Sequence, residues 1–329
     1  MTPARLAAIL VIATVAIGLT GLGAGAEGWS MQWAHEWSLI AQIRAPRTLG
    51  ALLAGACLGL AGAVAQGLFR NPLADPYLLG SATGAGLAVT IALALTSLAA
   101  GVVPAAMSLS ASIGLTGAAF IGALFGVLVT ITLAGGARRP SNLLLGGVVV
   151  GMILGALSEA ITLMLPEVLR PRQAFMLGTT SLLDWQAAAV LGASLLLCSA
   201  IAIGLSRALD ALMLGEDTAT SLGIGIGACR LGLIGALALA TGAAVAQTGI
   251  IGFVGLAAPH LIRRSVAVTH RGLLALSILA GAVLLGGADV LARMVWAPGE
   301  LPVGLVTALF GGAYLLALLH RRPDQRESA

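Results

Sequence analysis

The sequence predicts an all-α membrane protein, a polytopic bundle of about ten transmembrane helices. Two observations predict this class: 59% of the 329 residues are hydrophobic and only 9% are charged, whereas soluble domains carry about 25% charged residues. So few charges cannot cover a water-soluble particle of this size, and lipid does not require them. A third observation, the long unbroken apolar runs, favours helices of about 20 residues over the alternating strands of a barrel.

The apolar runs divide the chain into nine long spans and one short one. The first run, 6–25, could be taken for a signal peptide, but it is long enough to span, and we interpret it as a retained first helix. A short run near 250–262 gives ten spans if it crosses, and residues 167–184 are expected to form a short surface helix or loop. The other spans are expected near 47–68, 78–98, 111–134, 143–165, 187–205, 230–248, 272–291 and 302–320. Residues 1–329 then form a single transmembrane domain with a polar tail from about residue 321.

Arginine supplies all 17 basic side chains, and its distribution predicts the orientation of the spans. With ten spans and a cytoplasmic N-terminus, the inner segments hold 12 arginines and the outer segments hold 5. Cytoplasmic loops carry the excess of basic residues in membrane proteins, so we expect both termini inside. An odd number of spans would place Arg321 and Arg322 outside, against the same rule.

No energy source is visible within the spans. Acids are nearly absent from them, and the nearest, Glu159 and Asp289, lie toward the outer ends, so no proton relay is obvious. A chain without lysine cannot contain the phosphate-binding loop of an ATPase. The sequence also shows no catalytic constellation and no metal-ligand spacing, which leaves an intramembrane enzyme or a scaffold without support. The chain is therefore either a passive channel or carrier, or it takes its energy from a partner.

The loop between the sixth and seventh spans, cytoplasmic in this topology, predicts two short helices. Gly215 can close the first, and the run from Glu216 to Leu222 can form two further turns that stop at Gly223. A short helix at the membrane face can fit a groove in a soluble partner and transmit rigid-body motion. From these residues alone, a docking element and a plain connecting helix both remain open.

Several motifs, in a fixed order, resemble one family of membrane proteins. They are Gln42-Ile43-Arg44-Ala45-Pro46-Arg47-Thr48-Leu49, Arg70-Asn71-Pro72-Leu73-Ala74-Asp75-Pro76, Leu214-Gly215-Glu216 with Leu222-Gly223, Gly249-Ile250-Ile251-Gly252-Phe253-Val254-Gly255-Leu256, and Glu300-Leu301-Pro302-Val303-Gly304. Together they resemble the FecCD/BtuC-like permeases of bacterial ABC importers, the type II importers of iron-siderophores, haem and vitamin B12. The resemblance extends over nearly the whole chain.

The resemblance implies a permease subunit, not an enzyme itself, that translocates a metal chelate (iron-siderophore, haem or cobalamin) by alternating access across the bacterial inner membrane. The implied partners are a second copy of the chain, two cytoplasmic ATP-binding-cassette subunits, and a periplasmic or lipid-anchored substrate-binding protein. Membrane lipid surrounds the chain, and no nucleic acid is expected. ATP and Mg²⁺ would bind to the ATPase subunits, with no cofactor or metal on this chain. A stand-alone secondary carrier or channel is the alternative.

The resemblance also implies roles for individual residues. The arginines that receive acids of the binding protein would be Arg44, Arg47 and Arg293, for which anchoring to lipid phosphate is the alternative. The ATPase coupling helix would comprise Leu214, Gly215, Glu216, Asp217, Ala219, Leu222 and Gly223. The cytoplasmic gate would comprise Asn71 and Leu73 after the second span, and Ser141 and Asn142 before the fifth. Pro140 departs from the polar residue expected in this second turn.

Overall fold

The computed structural model describes residues 1–25, 28–29, 37–99, 108–137 and 140–320, and most of this part of the chain is helical. The predicted polar tail therefore lies outside the described residues, as do Arg138 and Arg139 of the orientation count. The helices are α1 (Pro3–Gly23), α2 (Trp37–Leu39), α3 (Ala45–Phe69), α4 (Ser81–Ala99), α5 (Ser108–Leu133), α6 (Pro140–Met164), α7 (Leu169–Leu177), α8 (Trp185–Gly204), α9 (Ser206–Met213), α10 (Glu216–Ser221), α11 (Ile226–Thr248), α12 (Val254–Ser265), α13 (His270–Met294) and α14 (Val303–His320). A π-helical turn, Ile40–Arg44, joins α2 to α3, and a two-residue antiparallel ladder pairs β1 (Ala24–Gly25) with β2 (Gly28–Trp29).

The helices confirm the predicted fold class. Within the described residues, eight helical segments are long and apolar enough to cross a membrane by length and composition. α14 coincides with the predicted last span, and α7 forms the short helix expected between residues 167 and 184. α12 coincides with the short apolar run but has only 12 residues, about 18 Å of helix against an apolar layer of about 30 Å.

The bundle has two ends, which we name after one polar residue at each. At the Arg47 end, the start of α3 meets the end of α13, where Arg47 Nε lies 3.2 Å from Asp289 Oδ1. At the Glu216 end, α10 meets the start of α11, where Arg230 Nη2 lies 2.7 Å from Glu216 Oε1. The directions of α3, α11 and α13 can therefore be assigned from these contacts.

The segment from 249 to 265 passes from one end to the other, although α12 is short. α11 finishes at the Arg47 end, because Thr248 O accepts a hydrogen bond from Thr179 N at 2.7 Å and the adjacent Thr180 donates to Asp289 at 2.5 Å. α13 starts at the opposite end, where His270 N donates to Asp210 of α9 at 3.0 Å. Non-helical residues 249–253 followed by α12 cover the distance between them. Residues 249–265 therefore run the length of the bundle between the end of α11 and the start of α13, as the tenth predicted span requires.

Glycines allow the central helix α3 to contact its neighbours at backbone distance. A Cβ added at Gly55 would lie 2.3 Å from Gly281 O of α13, and one at Gly62 would lie 1.7 Å from Gly255 O of α12. Small residues at helix interfaces are typical of membrane proteins, where packing rather than hydrophobicity drives association. The most apolar part of α3 is accordingly 83% buried, whereas that of α6 is only 22% buried and presents its apolar side chains outward.

Candidate functional site

A cluster of two arginines and two acids occupies the Arg47 end. Arg47, in the first turn of α3, contacts Asp289 through Nε at 3.2 Å and Glu300 through Nη1 at 2.8 Å. Arg293 lies one helical turn after Asp289 on α13 and donates to its other carboxylate oxygen through Nη2. The formal charges of these four side chains cancel. The Asp289 side chain is 0% exposed and that of Arg293 is 1% exposed, so the pairing takes place inside the protein.

Arg293 of this cluster and the nearby Arg44 also hold the end of α1. Arg293 Nη1 donates to Gly21 O at 3.1 Å, and Arg44 Nη1 donates to Leu22 O at 3.3 Å. The last carbonyl groups of a helix lack intrahelical donors and carry a partial negative charge, so cations stabilise them. These contacts fix the end of α1 against α3 and α13.

The structure brings the three predicted docking arginines together at the Arg47 end. Arg44 and Arg47 are each 7% exposed and Arg293 is 1% exposed, so their side chains have partners within this chain. Nothing in the sequence pattern indicates that Glu300 and Thr180 belong to this cluster. Asp289 stands out in the sequence only as a rare acid, although its spacing of four residues from Arg293 on one helix face is a usable signal. Docking to a binding protein stays a prediction for these arginines.

The loop at the Glu216 end has the local structure that the sequence predicts. α9 ends before Gly215, which adopts φ 109°, and α10 ends before Gly223, which adopts φ 77°. Both values lie in the left-handed region that glycine adopts without strain. Ala219 is 0% exposed and packs with Ala211 and Leu212 of α9, so the two short helices form one unit.

One face of this unit is apolar and open. Met213 is 50% exposed, Leu214 69% and Leu222 64%. Of the predicted coupling residues, Asp217 is exposed, whereas Glu216 is partly covered. The loop thus combines a buried contact with the bundle and an uncovered apolar surface on its other side.

Glu216 joins α10 to two long helices. Its Oε1 accepts a hydrogen bond from Arg230 Nη2 of α11 at 2.7 Å and lies 3.5 Å from Arg70 Nη2 at the end of α3. The hydrogen bond from Arg230 lowers the pKa of Glu216 below its ordinary value of 4.5, so the carboxylate is ionised at neutral pH. Neither arginine was predicted as a site residue, and Arg230 is buried at 2% exposure.

The first predicted gate segment is a tight turn that begins at Arg70. Arg70 has φ 49° and caps α3; Asn71 Oδ1 then accepts a hydrogen bond from Leu73 N at 2.9 Å. Leu73 is 57% exposed. Asp75 caps the following 3₁₀ turn, Pro76–Leu79, by accepting from Tyr77 N at 2.8 Å, and burial raises the pKa of this carboxyl.

The second predicted gate segment is helical. Ser141 and Asn142 lie exposed in the first turn of α6, which begins at Pro140, consistent with the preference of proline for a helix start. The 3₁₀ turn that follows the first gate segment packs on α6, the helix that begins with the second gate segment. A Cβ added at Gly147 of α6 would lie 1.8 Å from Leu78 O.

Comparison with known proteins gives these clusters a context. A model of the FecCD transport family matches residues 6–321, nearly the whole chain. The chain belongs to the FecCD transport family. Among its curated relatives, the ferric enterobactin transport system permease protein FepD of Escherichia coli is 38% identical over 87% of this chain and 83% of its own.

Two further relatives cover the chain to a similar extent. The hemin transport system permease protein HmuU of Yersinia pestis is 35% identical over 97% of this chain and 95% of its own. The vitamin B12 import system permease protein BtuC of Klebsiella pneumoniae is 38% identical over 85% and 82%, respectively. A solved structure of a metal-chelate type ABC transporter in an inward-facing conformation aligns with a TM-score of 0.84 and 28% identity, over 98% of this chain and 100% of that chain. The FecCD chain is thus a multi-pass membrane protein with the fold of an importer permease.

Proposed function

We propose that this FecCD chain is the membrane permease of an ABC importer that translocates a metal chelate: an iron-siderophore, haem or cobalamin. The relatives are named for ferric enterobactin, hemin and vitamin B12, which supports this substrate class. The observation that carries the proposal is the unit formed by α9 and α10. It presents the apolar side chains of Met213, Leu214 and Leu222 outside the long helices, on a segment fastened to two of them.

In this proposal, two cytoplasmic ATPase subunits lie beneath the dimer, one for each copy of the chain, and cover the exposed Met213, Leu214 and Leu222 that flank α10. Large exposed apolar side chains that cluster on a polar loop mark a surface for a protein partner. The ATPase subunits bind ATP and Mg²⁺, and their movement is transmitted through α10 to the gate segments at Asn71–Leu73 and Ser141–Asn142. The Glu216 end then faces the cytoplasm, and both termini lie on the cytoplasmic side of the bacterial inner membrane.

A substrate-binding protein would dock at the opposite, Arg47 end. The most accessible side chain of the arginine cluster is that of Glu300, which is 27% exposed, whereas that of its partner Arg47 is 9% exposed. Acids of the binding protein would compete with Glu300 for the Arg47 guanidinium, whose fork matches a carboxylate. Arg44 and Arg293 would fix the backbone on which this contact depends. A second copy of the chain would face the outward apolar side chains of α6 and complete the translocation path.

Reconstitution tests this function. Vesicles that contain the permease, its ATPase subunit and its binding protein should take up the chelate only when ATP is supplied on the side of the membrane that carries the ATPase. Gly215→Val should leave ATP hydrolysis but reduce uptake, because φ 109° is strained for a branched side chain. Uptake by the permease alone, driven by an ion gradient, would overturn the proposal in favour of a secondary carrier.

A further inference from the structure

We propose that Glu216 is a positioning residue that links the coupling helix α10 to the gate turn through Arg70, while Arg230 holds it against α11. This inference rests on the proposed function of α10. The three side chains form one ion cluster in which Oε1 of Glu216 serves both arginines. They come from three separate segments of the chain, so movement of α10 reaches two long helices through a single carboxylate.

The two contacts of Glu216 differ in strength. The contact with Arg230 is short, at 2.7 Å, and the arginine side chain is 2% exposed, so it acts as a fixed anchor within the bundle. The contact with Arg70 is longer, at 3.5 Å, and both side chains are about two-fifths exposed, at 38% and 41%. Exposed pairs of this kind are weak and rearrange easily. The anchor therefore persists during a movement of α10, whereas the Arg70 contact is the one that changes.

The backbone at Arg70 connects this contact to the gate. Arg70 ends α3 in the left-handed conformation, with φ 49°, where helices usually place glycine. A residue with a long side chain is disfavoured there, and such backbone outliers concentrate at switch regions. The next residue, Asn71, shapes the turn by accepting the hydrogen bond from Leu73 N. A displacement of the Arg70 side chain therefore acts on the residue at which α3 ends and the gate turn begins.

The neighbouring acid provides an internal comparison. Asp217 lies next to Glu216 in the first turn of α10 and is exposed. In the part of the chain that the structure describes, Asp217 forms no ion pair with an arginine. Loss of its charge removes the same formal charge from the same helix without touching the link.

The test measures coupling in the complete transporter, reconstituted with its ATPase and binding protein. The chelate transported per ATP should fall in both Arg70→Gln and Glu216→Gln, and Arg70→Gln should retain ATPase-subunit binding and ATP hydrolysis. For Arg70→Gln we expect a fall of about two- to five-fold, which is about 0.4–1 kcal/mol at 1.4 kcal/mol per ten-fold. Glu216→Asp should recover part of the loss, and Asp217→Asn should reduce the ratio less than Glu216→Gln.

A second readout follows the gate turn itself. With Cys229→Ser as background, a Leu73→Cys variant should react with an impermeant thiol reagent at a rate that changes with ATP, and Arg70→Gln should abolish that change. If Glu216→Gln fails to assemble because Arg230 loses its counter-ion, Arg70→Gln decides alone, since it leaves that pair intact. An unchanged transport ratio and an unchanged ATP response in Arg70→Gln would overturn the link, whereas a wild-type permease that binds no ATPase would instead overturn the proposed function.

Discussion

The buried cluster at the Arg47 end allows the loss of folding stability on removal of one charge to be predicted. Asp289→Asn keeps the shape of the side chain but removes the negative charge that lies between Arg47 and Arg293. Arg47 retains Glu300 at 2.8 Å, so most of the loss falls on Arg293, whose side chain is 1% exposed. Removing one partner of a buried ion pair costs about 3–5 kcal/mol, because the other charge stays desolvated. We expect a destabilisation in this range, and not the doubled value that would follow if both Arg47 and Arg293 lost their only acid.

Thermal unfolding of the detergent-solubilised permease measures this effect. At about 2 °C per kcal/mol, the lower end of the range for large domains, the melting temperature should fall by about 6–10 °C. Glu159→Gln is the control, because it also removes an acid paired with an arginine, Arg172 at 2.7 Å; the Arg172 side chain is 10% exposed, but that of Glu159 is 63% exposed. Its effect should be smaller, since water reaches this pair from the Glu159 side and screens it. Equal melting temperatures for the two variants would refute the view that burial makes the Asp289 cluster structural.

Three further predictions concern packing, docking and pH. Gly62→Ala places a Cβ 1.7 Å from Gly255 O and should cost about 1–3 kcal/mol by overpacking. Gly235→Ala, which meets nothing within 4 Å, should not destabilise the protein in the same unfolding assay and should stabilise it slightly through helix propensity. A Gly62→Ala variant as stable as Gly235→Ala would contradict the α3–α12 contact. Arg47→Glu should weaken association with the binding protein and Glu300→Gln should strengthen it, as measured by surface plasmon resonance over a salt series; unchanged affinity in both would remove Arg47 from the docking surface. Because the pKa of Glu216 is lowered from 4.5, its pair with Arg230 contributes stability above pH 4.5 that disappears as the pH falls through the lower folded value. Hydrogen exchange of residues 216–221, corrected for intrinsic rates, should accelerate in wild type as the pH falls through this value. The same residues in Glu216→Gln should show no acceleration over this pH range.

The helices were predictable from sequence because lipid imposes a simple rule on composition. A span must be apolar over about 20 residues and must satisfy its own backbone hydrogen bonds, so α3, α6 and α13 begin and end within a few residues of the predicted spans. α12 could not be assigned in the same way, because a 12-residue helix passes between the two ends of the bundle only with the help of non-helical residues 249–253. Only its contacts with α3 and with the start of α13 show where it runs.

The candidate site was predictable in part. The turns at Gly215 and Gly223 followed from local backbone chemistry, which the sequence contains directly. The partners of Glu216 did not, because Arg70 is 146 residues away in sequence and no local pattern links the two. The burial of Arg293 was missed for a related reason: an arginine near a span end is usually interfacial, and only the fold shows Asp289 and the carbonyl groups of α1 enclosing it.

The position of α3 explains how events at the two ends of the bundle could be connected. This helix carries Arg47 in its first turn and leads directly into Arg70 after its last, about 35 Å away for a helix of this length. Its backbone touches α13 at Gly55 and α12 at Gly62, so it cannot bend or slide without moving both neighbours. A change in the Arg47–Glu300 contact and a change in the Arg70–Glu216 contact would therefore both displace α3, which would give the proposed docking at one end and the proposed ATP-driven movement at the other a shared mechanical path.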